Sequence, residues 1–214
     1  MKAQKLYDIL QTNKLIPIVS GSNSDLAVKI VELLISASLP LTEITLRDNN
    51  SIKTIEIIKN KYPNIIIGAG TIINLSDAKK AISAGADFLV SPGLDDQIAK
   101  YAASQPIPYI PGVATSTEIQ HAYQLGITVL KWFPALFLGG PKTLTAIDGP
   151  FGHYGIKFIP TGGINSETFV DYLILKNVLA VGGSFMIPDK TILEQDRSTA
   201  LSFIKKIVKL SRST

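Results

Sequence analysis

Lys131 lies in the run Val129-Leu130-Lys131-Trp132-Phe133, which otherwise reads as a buried strand. Burying an ammonium group costs several kcal/mol unless it is paired or neutralised. A partner of opposite sign stands in a second such run, Leu41-Thr42-Glu43-Ile44-Thr45-Leu46-Arg47. Side chains alternate along a strand, so Leu41, Glu43, Thr45 and Arg47 share one face while Ile44 and Leu46 share the other. On the lysine's run, Val129, Lys131 and Phe133 face one way, and Leu130 and Trp132 the other. If the apolar faces pack outward, Glu43 and Lys131 meet in one interior. Such a pair can simply fix packing, and then it often adds nothing over a hydrophobic replacement. It can also react. Desolvation favours the neutral form of an amine, a neutral amine attacks a ketone to give a Schiff base, and a neighbouring carboxyl group moves the protons.

Two glycine pairs suggest a second part of the same site: Thr161-Gly162-Gly163 and Gly182-Gly183-Ser184. Without side chains, backbone N–H groups can approach and cradle phosphate oxygens; the plainer reading is that the glycines serve tight turns. Other chemistries find little support. With no cysteine, disulfides, thiolate zinc sites and a cysteine nucleophile are excluded. His121 and His153 are the only histidines, and neither has a His or carboxylate partner at metal spacing, so no metal site is expected. Gly68-Ala69-Gly70-Thr71 lacks the spacing of a dinucleotide fingerprint, so no cofactor is expected.

The elements that must position these residues follow from periodicity. Eight short β-branched runs begin near Leu15, Leu41, Ile65, Phe88, Pro108, Thr128, Lys157 and Val178. Segments of helical period lie between them, such as those starting at Ser24, Ser51 and Ser76. Asn23, Ser24 or Asp25 can cap the first of these, and Ser76 or Asp77 the third. Asp95 and Asp96 suit a helix start, His121 falls on a helix, and Trp132 fits a strand–helix wall. Strict alternation of strand and helix predicts an α/β fold, a single-domain (β/α)8 TIM barrel over residues 1–214 with an N-terminal helix. In such a barrel the active site is built at the C-terminal ends of the strands, and phosphate often binds after strands seven and eight, where both glycine pairs fall.

Composition narrows the partners. Hydrophobic residues make up 46% and charged residues 18%, which describes a well-filled core. The net charge of +4 is spread over the chain and forms no basic stripe interleaved with aromatics, so no nucleic-acid partner is expected. No window is apolar enough to span a membrane, and the N-terminus lacks the apolar core of a signal peptide; the expected location is cytoplasmic. The C-terminal stretch reads as an amphipathic closing helix with Phe203, Ile204, Ile207, Val208 and Leu210 inward.

The motifs EITLR, GAGTI, SPGL, IPGVAT, KWFPA, PTGGI and GGSF occur in this order between Leu15 and Ile187. Together they closely resemble the bacterial 2-keto-3-deoxy-6-phosphogluconate (KDPG) aldolases and the related 4-hydroxy-2-oxoglutarate aldolases. The resemblance implies a metal-free class I aldolase, a homotrimer acting on a small keto-acid phosphate. Lys131 then matches the Schiff-base lysine and Glu43 the general acid/base; Arg47 and Thr71 match the residues holding the pyruvate carboxylate. Pro92 and Phe133 would line the apolar side, and Thr161 matches a threonine beside the C4 hydroxyl. Gly162, Gly163, Gly183 and Ser184 match the phosphate cradle. Thr161 leans towards the gluco epimer. Leu136 stands where many relatives carry glutamate, and Ile18-Val19-Ser20-Gly21 stands where some carry an arginine. A 4-hydroxy-2-oxoglutarate aldolase and a non-catalytic barrel binding phosphorylated metabolites are the alternative expectations.

Overall fold

In the computed structural model, which describes residues 2–214, short parallel strands alternate with helices, an α/β fold. The strands are β1 (Leu15–Ser20), β2 (Leu41–Thr45), β3 (Ile66–Gly70), β4 (Phe88–Val90), β5 (Tyr109–Ile110), β6 (Gly112–Val113), β7 (Val129–Trp132), β8 (Lys157–Pro160) and β9 (Val181–Gly183). The helices are α1 (Lys2–Asn13), α2 (Ser24–Ser36), α3 (Ser51–Lys61), α4 (Leu75–Ser83), α5 (Asp96–Ser104), α6 (Ser116–Gln124), α7 (Gly140–Phe151), α8 (Phe169–Leu173), α9 (Lys190–Gln195) and α10 (Arg197–Arg212). A six-stranded sheet runs β5-β4-β3-β2-β1-β9, and a three-stranded sheet runs β6-β7-β8.

Where the two sheets meet, the residues explain the interruptions. Pro111 separates β5 from β6; it has no N–H to give to a ladder, but its carbonyl accepts from the Lys131 N–H at 2.8 Å. At the other junction, isolated bridges join Phe158 to Val178 and Thr161 to Gly182. The run expected from Val178 is thus a regular strand only over Val181–Gly183. Asn177 sits buried beside this junction, its carbonyl accepting from Phe158 N–H at 2.7 Å and its amide donating to the Leu144 carbonyl at 2.8 Å.

Side-chain alternation divides the core into two. Ile16, Leu41, Ile66, Phe88, Val90, Ile110 and Ile159 form an inner cluster, joined by Leu6 and Leu10 of α1. Leu15, Val19, Ile44, Ile67, Leu89, Leu130, Trp132 and Phe158 point the other way, against the helices. Leu6 and Leu10 of α1 meet this cluster where Ile16, Leu41 and Ile66 stand at the starts of β1, β2 and β3, so α1 covers the end of the sheet at which the strands start. Trp132 packs edge-on to Phe158 as wall, with its indole N–H unpartnered.

Two local expectations need correction. Helix α4 is capped by Asn74, which accepts from Asp77 N–H at 2.9 Å; Ser76 and Asp77 already lie inside the first turn. Asn23 does cap α2. On α10, Ile204, Ile207 and Val208 are buried and Phe203 is half-buried, but Leu210 is exposed; Ala200 and Ser211 complete the inner face instead. The small Ser211 can lie inward because its hydroxyl donates to the Val208 carbonyl within the helix.

Candidate active site

Glu43 and Lys131 are both buried, 3% and 7% exposed, at the heart of one cavity of about 460 Å3. Lys131 lies on β7 between Gly112 of β6 and Ile159 of β8. Glu43 lies on β2, opposite Ile18 of β1 and Gly68 of β3. Its carboxyl group leans along the interior over Gly70, where a Cβ would collide with the Glu43 Oε1. Gly70 of GAGT is therefore small because the carboxylate occupies the space. Burial pushes the Glu43 carboxyl above its ordinary value, and the positive charges of Lys131 and then Arg47 offset only part of this. The Lys131 ammonium also lies 4.8 Å from the centre of the Phe133 ring, whose face attracts a cation.

The other residues predicted from the sequence line the same cavity: Arg47, Thr71, Pro92, Phe133, Thr161, Gly162, Gly163, Gly183 and Ser184. Arg47 lies just past the end of β2, in the loop rather than on the strand, and is exposed at the rim. Thr71 follows β3 with φ +62, a conformation costly for a β-branched residue and typical of functional loops. Gly162 and Gly163 have φ +96 and +78, which glycine adopts without penalty. A Cβ on Gly163 would meet the Leu136 side chain, and one on Gly182 the Thr161 hydroxyl. The glycines thus do two things: they turn the chain and leave the cavity floor open.

Ile18, Ser20, Thr45 and Ile164 also line the cavity and were not singled out in the sequence. Thr45 shares the face of Glu43, so alternation carried its signal; Ile18 and Ser20 alternate likewise on β1. Their ordinary residue types gave nothing further to act on.

Two features lie outside the cavity. His121 Nε2 lies 2.7 Å from Asp96 Oδ1, a carboxylate partner that stands 25 residues away in sequence and so outside metal-ligand spacing. The partner comes from α5 through folding, which sequence spacing does not reveal. Among the described residues no group of three His, Cys, Asp or Glu side chains could hold a metal ion. At the opposite end of the strands, a cavity of about 440 Å3 between α1, α5 and the strand starts is mostly apolar and lacks a carboxylate or amine.

Comparison with known proteins agrees with this geometry. Residues 6–202 match the family model described as KDPG and KHG aldolase. A 2-dehydro-3-deoxy-phosphogluconate aldolase of Dickeya dadantii is 38% identical over 196 residues, covering 91% of each chain. A KHG/KDPG aldolase of Escherichia coli K12 is 37% identical over 196 residues, again with 91% of each chain covered. The crystal structure of KDPG aldolase from Legionella pneumophila, with pyruvate captured as a covalent carbinolamine intermediate, superposes with a TM-score of 0.84 at 33% identity, covering 97% of this chain and 96% of that one. The family match spans most of the sequence, and these relatives exceed 30% identity over nearly their whole length. The chain belongs to the KDPG and KHG aldolase family.

Proposed function

We propose that this chain is a class I aldolase, a lyase that cleaves 2-keto-3-deoxy-6-phosphogluconate to pyruvate and glyceraldehyde 3-phosphate. The observation that carries the reading is the convergence of buried Lys131 and Glu43 in a cavity at the C-terminal ends of the strands. The Lys131 amine, after giving up its proton, attacks the C2 ketone to form a carbinolamine. Glu43 in its acid form protonates the departing hydroxyl, water leaves, and the protonated imine remains. Removal of the C4 hydroxyl proton lets the C3–C4 bond break. Its electron pair flows into the imine to give the enamine of pyruvate, and the aldehyde departs. Protonation at C3 and hydrolysis of the imine then release pyruvate and restore the amine.

A carboxyl group raised by burial suits this work, since it can hold a proton in one step and accept one in another. Arg47 and Thr71 at the rim hold the carboxylate of the keto acid, Arg47 by a charge-assisted hydrogen bond. Pro92 and Phe133 form the apolar side, and Thr161 lies beside the C4 hydroxyl. The open backbone of Gly162, Gly163, Gly183 and Ser184 cradles the phosphate. No metal or cofactor takes part in this reading.

The same reading takes the two sheets as one closed (β/α)8 barrel and residues 1–214 as one domain. Support comes from the bridges at Val178 and Gly182 and from the continuity of β5 and β6 across Pro111. A homotrimer in the cytoplasm completes the reading; light scattering should give three times the chain mass, and the monomer mass would contradict it. Among the described residues no helix is long and apolar enough to cross a membrane.

A second substrate, 4-hydroxy-2-oxoglutarate, is favoured by the double name of the Escherichia coli relative. A non-catalytic barrel could keep the buried amine and carboxyl only as a packing pair, which often adds nothing over a hydrophobic replacement. The test is parallel cleavage assays on the two keto acids with wild type and Lys131→Ala. Wild-type turnover of the phosphorylated substrate, lost in the variant with the fold retained, is expected. Near-normal turnover by the variant would sink the Schiff-base mechanism.

A further inference from the structure

We propose that Tyr109 is a positioning residue, whose phenol, acting through Ser91, fixes the Pro92 loop against the reacting centre. This rests on the aldolase reading and deepens it. Tyr109 is buried on β5, outside the lining of the cavity that holds Glu43 and Lys131, while Ser91 and Pro92 follow β4. The Asp95 N–H donates to the Tyr109 oxygen at 3.3 Å, the Tyr109 and Ser91 hydroxyls are 2.7 Å apart, Ser91 donates to the Gly93 carbonyl, and the Tyr109 O–H itself lies 3.3 Å from that carbonyl. The shorter contact favours the Tyr109 O–H donating to Ser91, so a directed chain runs from Asp95 to Gly93, with the longer Tyr109–Gly93 contact bracing it. Hydrogen bonds in such a chain reinforce one another.

The chain pins both sides of Pro92. On its far side Asp95 is held again, as the cap of α5, by accepting from Ile98 N–H at 2.9 Å. The loop's inner side is held by shape. The Pro92 carbonyl lies so close to Gly112 that no Cβ could be placed there, and Gly112 is directly opposite Lys131 in the ladder. A shift of Pro92 is therefore felt at the strand pair that carries the amine. Burial raises the Tyr109 phenol above its ordinary value, which keeps its proton in the chain at working pH.

Pro92 contributes no charge to ground-state binding, so loosening it should act on the chemical step more than on affinity. The experiment measures KDPG cleavage and melting temperature for wild type, Tyr109→Phe, Ser91→Ala and the double variant. Tyr109→Phe should lower kcat about tenfold with KM changed less than about twofold, a modest part of what misplacement at a reacting centre can cost. The melting temperature should stay within a few degrees. Ser91→Ala should behave similarly, and the double variant should lose no more than the worse single one, as expected for one shared chain. An active wild type beside a Tyr109→Phe variant of unchanged kcat overturns the proposal, as does a loss confined to KM or losses that simply add. If Tyr109→Phe does not fold, Ser91→Ala decides by the same kcat criterion. A folded wild type that cleaves no KDPG overturns the aldolase reading itself, and the positioning role with it.

Discussion

The Glu43 carboxyl illustrates how burial becomes chemistry. Desolvation raises it, the charges of Lys131 and Arg47 only partly oppose this, and the proposed mechanism asks this group to change protonation during turnover. The acid limb of the kcat/KM profile should therefore fall at a pH above the ordinary carboxylate value near 4.5. A limb at or below that value would contradict the role. Glu43→Gln should lower kcat by about 10²–10⁴-fold, the usual contribution of a general acid–base, and abolish that limb. The same shift bears on stability. A carboxyl raised in the folded state contributes stability below its unfolded pKa that is lost as pH rises through the folded value. Denaturant titrations of the two proteins should therefore show the stability difference moving in favour of Glu43→Gln as pH climbs from about 4.5 through the raised value. No pH dependence of that difference would mean the carboxyl is not raised.

At the scale of elements, the loops after the strands decide what can bind. Gly163 combines φ +78 with a position where an added Cβ would lie 2.5 Å from the Leu136 Cβ. Gly163→Ala should cost about 1–2 kcal/mol of stability, from the left-handed backbone, and displace the Leu136 side chain. It should raise KM for the phosphorylated keto acid severalfold while leaving that for 4-hydroxy-2-oxoglutarate nearly unchanged; equal effects on both substrates would remove this loop from the phosphate cradle. The sequence made these loops legible because two rare signals, paired glycines and strand ends, fell together. It also placed Glu43 and Lys131 on the inner face, since a period of two leaves little freedom. Other features were hidden. Asn74 could not be told from Ser76 as the cap of α4 by residue type alone, because both suit the position. Leu210 looked inward by hydropathy, yet helix rotation gave the place to Ser211. The Asp96–His121 contact and the Tyr109–Ser91 pair join residues far apart in sequence, which no local pattern encodes.

Over the whole molecule, the junction between the two sheets is held by few backbone pairs, and Asn177 bears on it directly. Its side chain is buried and donates to the Leu144 carbonyl on α7, while its backbone accepts from Phe158 on β8. Asn177→Ala should leave that carbonyl short of a donor and cost about 1–3 kcal/mol. For a chain of this size each kcal/mol lowers Tm by about 2–4 °C, which calorimetry would read; an unchanged Tm would show the junction is secured elsewhere. The strand ends at this junction lead into Thr161–Gly163 and Gly183–Ser184, which line the cavity, so its integrity and the cavity's are one matter. The most direct test of the central claim is borohydride reduction in the presence of pyruvate, followed by peptide mass spectrometry. A reduced pyruvyl adduct on Lys131, absent from Lys131→Ala, is the predicted result. Folded wild-type protein with no adduct on Lys131 would contradict it and leave the buried lysine a structural charge.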